Sequence, residues 1–297
     1  MRASSLHRAT RLRAVIATVM LVAVQNSTAA SATLAAQPCE TPATISSIDN
    51  VGTLVLAAPV QGATTVWLAG IAISERPSTL PSGPEEPAAV VHKANAAVGD
   101  IASVASAARR LLADLLSVGT VVCLDLGGPG ATADRYGRLP AQVYREDGLW
   151  LQGQLLGIGL ARVWPTPQAR ERIDEMLAVE KGARVARRGL WRLSAFRVRS
   201  SEDAELAPAG LQIVEGRVLE AERRGELWYL NFGADWRRDF TVVIGKQALA
   251  EFVRAGLEPY ALKGRMIRVR GMLQRYNGPM IEVLVPQQIE LVENAQG

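Results

Sequence analysis

Apolar and polar residues alternate along three runs near the start of the chain, residues 43–48, 52–57 and 64–71, and the alternation predicts three half-buried strands. Residues 59–62, beginning with Pro59 and ending with Gly62, supply the turn between the second and third. The following stretch, 76–87, is rich in proline, serine and glutamate and is expected to be an exposed loop. Over 88–116 the period becomes helical, with Leu111, Leu112, Leu115 and Leu116 as the apolar stripe of the last part and Gly119 as the stop. A strand at 120–126, a glycine-rich loop at 127–130, a strand at 139–145, an Asp147-Gly148 turn and a short helix at 151–156 follow. A second helix is expected over about 166–188, where Arg170, Arg172, Lys181, Arg184, Arg187 and Arg188 alternate with acids as on a solvated face.

Residues 200–208 are polar, acidic and closed by Pro208, as linkers often are. Beyond them the pattern is strand-rich again: strands at 211–219, 227–232 and 240–244, a helix at 246–255, and strands at 266–273 and 280–285. Three strands, a helix and two strands is the order of an oligonucleotide-binding (OB) barrel, a fold that commonly holds single-stranded nucleic acid or sugars on one face.

Composition narrows the picture. A chain of 297 residues has room for two modest cores, and 48% hydrophobic content makes it globular although only 5% is aromatic. A formal charge of +4 permits a polyanionic partner without requiring one. Arginines at 2, 8, 11 and 13, an apolar core over 14–24 and small residues ending in Ala30-Ser31-Ala32 form a secretory signal pattern, so residues 1–32 are expected to be removed and the mature protein to be periplasmic or secreted, with no membrane span. His92 is then the one remaining histidine, which excludes a histidine-rich metal centre or a His-based triad.

Asp134-Arg135-Tyr136-Gly137-Arg138, then Trp150, then Gly189-Leu190-Trp191, preceded by Val66-Trp67-Leu68-Ala69-Gly70-Ile71 and Glu75, resemble the thermonuclease (staphylococcal nuclease-like) family across roughly residues 43–195. The resemblance implies a nuclease-like OB-type barrel with packed helices at 40–198; with the linker composition at 199–209 and the strand order of an OB-type domain at 210–293, the chain is expected to be α+β, mainly β, with two OB-type five-stranded barrels. The resemblance also implies calcium-dependent phosphodiester cleavage by a glutamate base and two arginines, because hard carboxylate oxygens hold the metal and guanidinium forks match phosphate. On that comparison Glu75 matches the base and Arg138 the second arginine. The metal carboxylates map to Gly52 and Ala72, however, and the first arginine maps to Trp67. Losing one oxyanion donor typically costs about 100- to 1000-fold, and losing the metal costs more. No cofactor is therefore expected, or calcium if the site is active, with Asp49 as ligand and Arg76 as clamp in a rearranged site. Asp134, Tyr136 and Gly137 are expected to tie the turn down rather than to catalyse.

In a barrel of this strand order the first and fourth strands are neighbours, so Cys39 and Cys123 are placed to close a disulfide in an oxidising compartment; the alternative is two separate thiols. The loop closed would contribute about 4 kcal/mol on the chain-entropy argument. In the second domain Trp228, Tyr229, Trp236, Arg237, Arg238, Arg268, Arg270, Arg275 and Tyr276 have the residue types that stack on bases and meet phosphates, and Trp236, Arg237, Arg238, Arg275 and Tyr276 are the better candidates because they fall in loops. The sequence thus supports a catalytically impaired, exported nuclease homologue that binds single-stranded DNA or RNA or an envelope protein. Its alternatives are an active nuclease on DNA or RNA with a rearranged site, and an envelope interaction module that binds no nucleic acid.

Overall fold

A computed structural model describes residues 39–50, 52–73, 88–128, 130–207, 210–235 and 237–292. The signal-like segment 1–32, Glu75, Arg76 and Trp236 lie outside these residues. Strands β1 (Pro42–Asn50), β2 (Thr53–Val60) and β3 (Ala63–Leu68) form a meander, followed by the short β4 (Ile71–Ala72). Helix α1 (Ala88–Leu115) then leads to β5 (Val121–Asp125) and β6 (Arg138–Arg145). The five longer strands close into a barrel in the order β1-β2-β3-β6-β5, with β3 and β6 parallel. Alternate residues Leu54, Leu56, Val66, Leu68, Val122, Leu124, Leu139, Ala141 and Val143 fill its interior. The leucine stripe of α1 plugs one end, with Leu112 and Leu116 buried and Leu111 and Leu115 half-buried against the same core.

Antiparallel pairing of β1 with β5 sets Pro42 opposite Cys123, which brings Cys39 within reach, and the two cysteines form a disulfide with Cα atoms 5.4 Å apart. The barrel is followed by α2 (Leu151–Gly157), β7 (Arg162–Val163), which pairs with β4, and α3 (Ile173–Val185). The second helix is shorter than its charge pattern suggests. Pro165 and Pro167 interrupt the approach, Thr166 pairs with Ala169 in a tight turn, and Arg172 takes a left-handed conformation at φ 59°, so the helix begins at Ile173. Nor is all of it solvated, since Glu180 is buried and Arg184 lies half-buried near the Trp191 ring.

Within the predicted linker, residues 199–207 are held at several points. Strand β8 (Arg199–Ser200) runs parallel to β9 (Gly210–Arg217), Ala204 and Ala207 are buried in the second core, and the Arg275 guanidinium donates to the carbonyls of Glu205 at 2.5 Å and Ala207 at 3.3 Å. The chain continues through β10 (Glu220–Arg224), β11 (Leu227–Asn231), β12 (Thr241–Ile244), α4 (Lys246–Arg254), β13 (Met266–Arg275), β14 (Pro279–Val283) and β15 (Ile289–Leu291). These strands order as β10-β11-β12-β14-β13-β9-β8, with β12 and β14 parallel and β15 added to β13. Only residues 218–219 separate β9 from β10, so these two are effectively one long strand bent at that point, with β8 added outside β9. The whole is an α+β fold, mostly strands, with one closed five-stranded barrel and a second sheet curled around its own core of Val242, Ile244, Phe252, Val269, Ile281 and Val283. No helix among the described residues is long and apolar enough to cross a membrane.

A buried ion-pair network joins the two barrels. Ile267, Val269 and Leu273 of β13 point into the second core, so Arg268, Arg270, Met272 and Gln274 project from the other face, as strand alternation requires. Arg270, 1% exposed, donates to the Glu180 carboxylate at 3.2 and 3.0 Å, to Glu290 at 2.7 Å and to the Val163 carbonyl at 3.1 Å. Glu180 also accepts the Val163 amide at 2.8 Å, and Arg268 is bound to Glu215 at 2.6 Å. Arg162, buried nearby, donates to the Leu211 carbonyl at 2.7 Å and lies 5.0 Å from the Phe196 ring. Burial pushes the Arg162 guanidinium down to about 10, yet it stays charged near neutrality. For Arg270, burial opposes the charge but Glu180 and Glu290 outweigh it and hold the guanidinium above its ordinary value. Arg268 and Arg270, which the sequence allowed as nucleic-acid contacts, are therefore committed to carboxylates.

Removing one partner of such a pair strands the other charge in the interior. Arg270→Met is expected to lower stability by about 3–5 kcal/mol in equilibrium denaturant unfolding, with the Glu180→Gln/Arg270→Met double variant recovering part of the loss. Cys123→Ser is expected to cost about 4 kcal/mol in the same assay, because the cross-link spans 84 residues.

Candidate functional site

The outward face of β3 and β6 is where the sequence places the family chemistry. Val66 and Leu68 face the barrel interior with Leu139 and Ala141, so Thr65 and Trp67 share the outer face with Arg138 and Pro140. Thr65 lies opposite Arg138, and Trp67 lies between Thr53 of β2 and Pro140 of β6. Arg138 thus sits one strand across and two residues along from Trp67.

Gly52 and Ala72 also come to this end of the barrel. The Gly52 carbonyl accepts the Leu68 amide at 2.9 Å, and the space beside Gly52 is bounded by the Ile73 side chain, 3.7 Å from where a Cβ would stand. Gly52 has φ +90°, a conformation that strains any residue with a side chain, so an aspartate does not fit there without a change of backbone. Ala72 pairs with Arg162 in β4–β7. Asp49 lies near the end of β1.

Positions 52, 67 and 72 carry no side-chain oxygen that could ligate calcium. Calcium takes six to eight oxygen ligands, usually with several carboxylates. Among the described residues no three His, Cys, Asp or Glu side chains cluster as metal ligands would.

Arg138 is held by the turn that precedes it. Asp134 accepts the Tyr136 amide at 2.9 Å and the Arg138 amide at 3.0 Å through one oxygen, and the Arg138 guanidinium at 2.9 and 2.8 Å through the other. The backbone closes the same loop: the Asp134 amide donates to the Arg138 carbonyl at 2.9 Å, and Gly137 donates back to Asp134 at 2.9 Å. Gly137 has φ +74°, as this turn requires. Tyr136 projects outward, with the Arg135 and Arg138 guanidinium carbons 4.8 and 5.1 Å from its ring centre and Arg135 donating to its hydroxyl at 2.7 Å. Burial works against the Asp134 charge, but the Arg138 amide and guanidinium and the Tyr136 amide prevail, and the carboxyl is held below its ordinary value of 3.8.

A second surface forms where two loops of the other barrel touch. The β13–β14 hairpin turns at Asn277-Gly278, and Gly278, at φ +98°, packs on the backbone of the β11–β12 loop. A Cβ on Gly278 would lie 3.1 Å from the Arg238 carbonyl carbon and 3.3 Å from the Arg237 carbonyl oxygen. Asp235 accepts the Arg237 amide at 3.1 Å, and Asp239 accepts the Asp235 amide at 2.7 Å, so acids shape this loop. The contact puts Arg237 and Arg238, both exposed, beside Tyr276, which is 72% exposed. Arg275 is not part of that surface, being occupied by the carbonyls of Glu205 and Ala207. Trp228 packs against the second core, and Tyr229 is half-buried in β11.

Sequence reasoning did not find the Arg270–Glu180–Glu290 network or the Gly278 contact. An arginine on an alternating strand looks the same whether water or a carboxylate faces it. The Asn277-Gly278 pair was the one available signal of a tight hairpin.

Residues 91–193 match the family model described as "Staphylococcal nuclease homologue", so this segment is thermonuclease-like. It runs from α1 through α3 to Trp191 and includes Asp134, Tyr136, Gly137 and Arg138, whereas Gly52, Trp67 and Ala72 precede it. No curated protein matches the chain.

The Asp134 carboxyl titrates lower when folded, so the stability it contributes is fully present above about 3.8 and is lost as pH falls through its depressed folded value. Asp134→Asn is accordingly expected to be less stable than the parent at pH 7, by about 1–3 kcal/mol for the lost charged hydrogen bonds. The difference should shrink toward zero in strong acid, as followed by urea unfolding across pH.

Proposed function

We propose that this protein is an exported nuclease homologue that has lost phosphodiester cleavage and binds single-stranded nucleic acid. The observation that carries the reading is the side-chain set on the outer face of the first barrel: a positive-φ glycine, an indole and an alanine stand at the metal and phosphate positions. The remaining arginine is neutralised by Asp134 at 2.8 Å. Such a face can hold a phosphate or a base, but it lacks the converging oxygens that would place a metal and the second cation that would stabilise charge building at phosphorus. Export is supported by the signal pattern at residues 1–32 and by the Cys39–Cys123 disulfide, which suits an oxidising compartment.

The second sheet has the strand order of an OB barrel, and its exposed loops supply the complementary chemistry. Arg238 offers a charge to phosphate, and the Tyr276 ring offers a stacking face that tolerates any base. Arg237 lies beside them.

Labelled single-stranded DNA and RNA incubated with residues 33–297 in calcium, magnesium, manganese or EDTA are expected to remain intact and to shift on a native gel. Metal-dependent cutting that disappears in Glu75→Gln would overturn the loss of catalysis and make Asp49 and Arg76 the residues to test. Tyr276→Ala is expected to weaken the shift by about 1–3 kcal/mol per stacked base. Arg238→Ala should reduce the slope of log K against log salt by about 0.7. Intact oligonucleotides with no shift would instead favour a protein-interaction module.

A further inference from the structure

The outer face of β13 does two jobs along its length. Arg270 is buried against Glu180 of α3 and Arg268 is half-buried between Glu215 and Glu290, but Met272 and Gln274, further along the same face, border an open cleft of about 170 Å³ between the barrels. Glu282 and Leu284 line its second side, and Trp164 and Thr166 come from the loop after β7 of the first barrel. Met272 is 42% exposed and Leu284 49%, so the cleft has apolar walls that no other part of the described chain covers.

Its size and charge restrict what can enter. A cavity of about 150 Å³ holds one benzene, and drug-sized ligands need about 300 Å³ or more, so this cleft takes a group the size of one long side chain rather than a nucleotide. No lining residue is basic, and the one formal charge is the exposed Glu282 carboxylate, for which no hydrogen bond or ion pair is seen among the described residues. Arg270, on the same face of β13, is occupied by Glu180 and Glu290, and Arg170 by Glu251 at 2.5 Å. A phosphate would meet repulsion with no compensating cation. The Thr166 hydroxyl is buried without a partner and can accept one more hydrogen bond.

We propose that the cleft between the barrels receives the side chain of a single lysine or arginine from a partner polypeptide. The apolar stem lies along Met272 and Leu284, and the cationic head reaches Glu282 and the Trp164 ring. An indole face and a carboxylate are the two groups that attract an organic cation, and the methylene stem suits the sulfur and leucine walls. The one formal charge lining the cleft is negative, so a cationic side chain is favoured there over a neutral or acidic one. The inference is independent of nucleic-acid binding, which uses other loops and the opposite charge.

The peptides Gly-Lys-Gly and Gly-norleucine-Gly, which differ by the ammonium group, provide the test. Titrated into protein labelled with ¹³C at the methionine methyls, Gly-Lys-Gly is expected to shift the Met272 signal, identified by its loss in Met272→Leu, and to bind at least about tenfold tighter than the norleucine peptide. Glu282→Gln, a surface change that keeps side-chain size, should abolish that difference while leaving the unfolding midpoint unchanged. Trp164→Leu should weaken the lysine peptide as well. Equal binding of the two peptides, unchanged preference in Glu282→Gln, no Met272 shift at millimolar Gly-Lys-Gly, or displacement of the lysine peptide by adenosine would each overturn the proposal.

Discussion

The ion pair between Glu180 and Arg270 is the constraint on which the arrangement of the two barrels depends. Each side chain leaves its own core to meet the other, and each is 1% exposed, so neither charge can be tolerated inside unless the partner is present. Glu180 is further fixed by the Val163 amide, and Arg270 by the Val163 carbonyl, so one β7 residue reads the position of both. A hydrophobic contact would permit sliding between the barrels, whereas this pair specifies one register. Around it, Arg268 with Glu215, and Arg162 with the Leu211 carbonyl, extend the same seam.

That seam decides which surfaces remain for ligands. Pairing of Arg268 and Arg270 with carboxylates removes half of the outer β13 face from any nucleic-acid role and leaves its far end, with Met272 and Gln274, as one wall of a cleft. The basic loops that remain exposed lie instead where the β13–β14 hairpin leans on residues 237–239. Positive charge in the sequence is therefore divided between structural pairs and accessible groups, and the division follows from docking rather than from the number of arginines. Arg275 illustrates the first class and Arg238, one loop away, the second.

In the first barrel, the Asp134–Arg138 turn and the residues at positions 52 and 72 each answer to local backbone demands. The turn serves the fold: its carboxylate satisfies two amides and a guanidinium at the start of β6, and its removal would open the entry to a core strand. Gly52 takes a positive φ with its carbonyl accepting the Leu68 amide, Ala72 pairs with Arg162 across β4–β7, and neither side chain offers an oxygen. The match of Asp134 and Arg138 to the family pattern thus has a structural reason of its own.

Most strands and the leucine stripe of α1 were legible in the sequence, because a two-residue or near-four-residue period records which face of an element is buried. The Cys39–Cys123 pairing was legible once the strand order was assumed. Strands β10 and β15 were not: Glu220–Arg224 buries only Ala221, and Ile289–Leu291 is three residues long, so neither leaves a period to detect. The early end of the charged pattern before α3 was missed because its helical spacing continues through two prolines whose effect depends on the local backbone. Periodicity by itself determined most of the elements and the faces they bury, while the comparison of positions 52, 67 and 72 rested on the family resemblance. Only the tertiary structure decided what covers each face, since water, a carboxylate from the other barrel and an open cleft all leave the same alternating arginines and methionines in the chain.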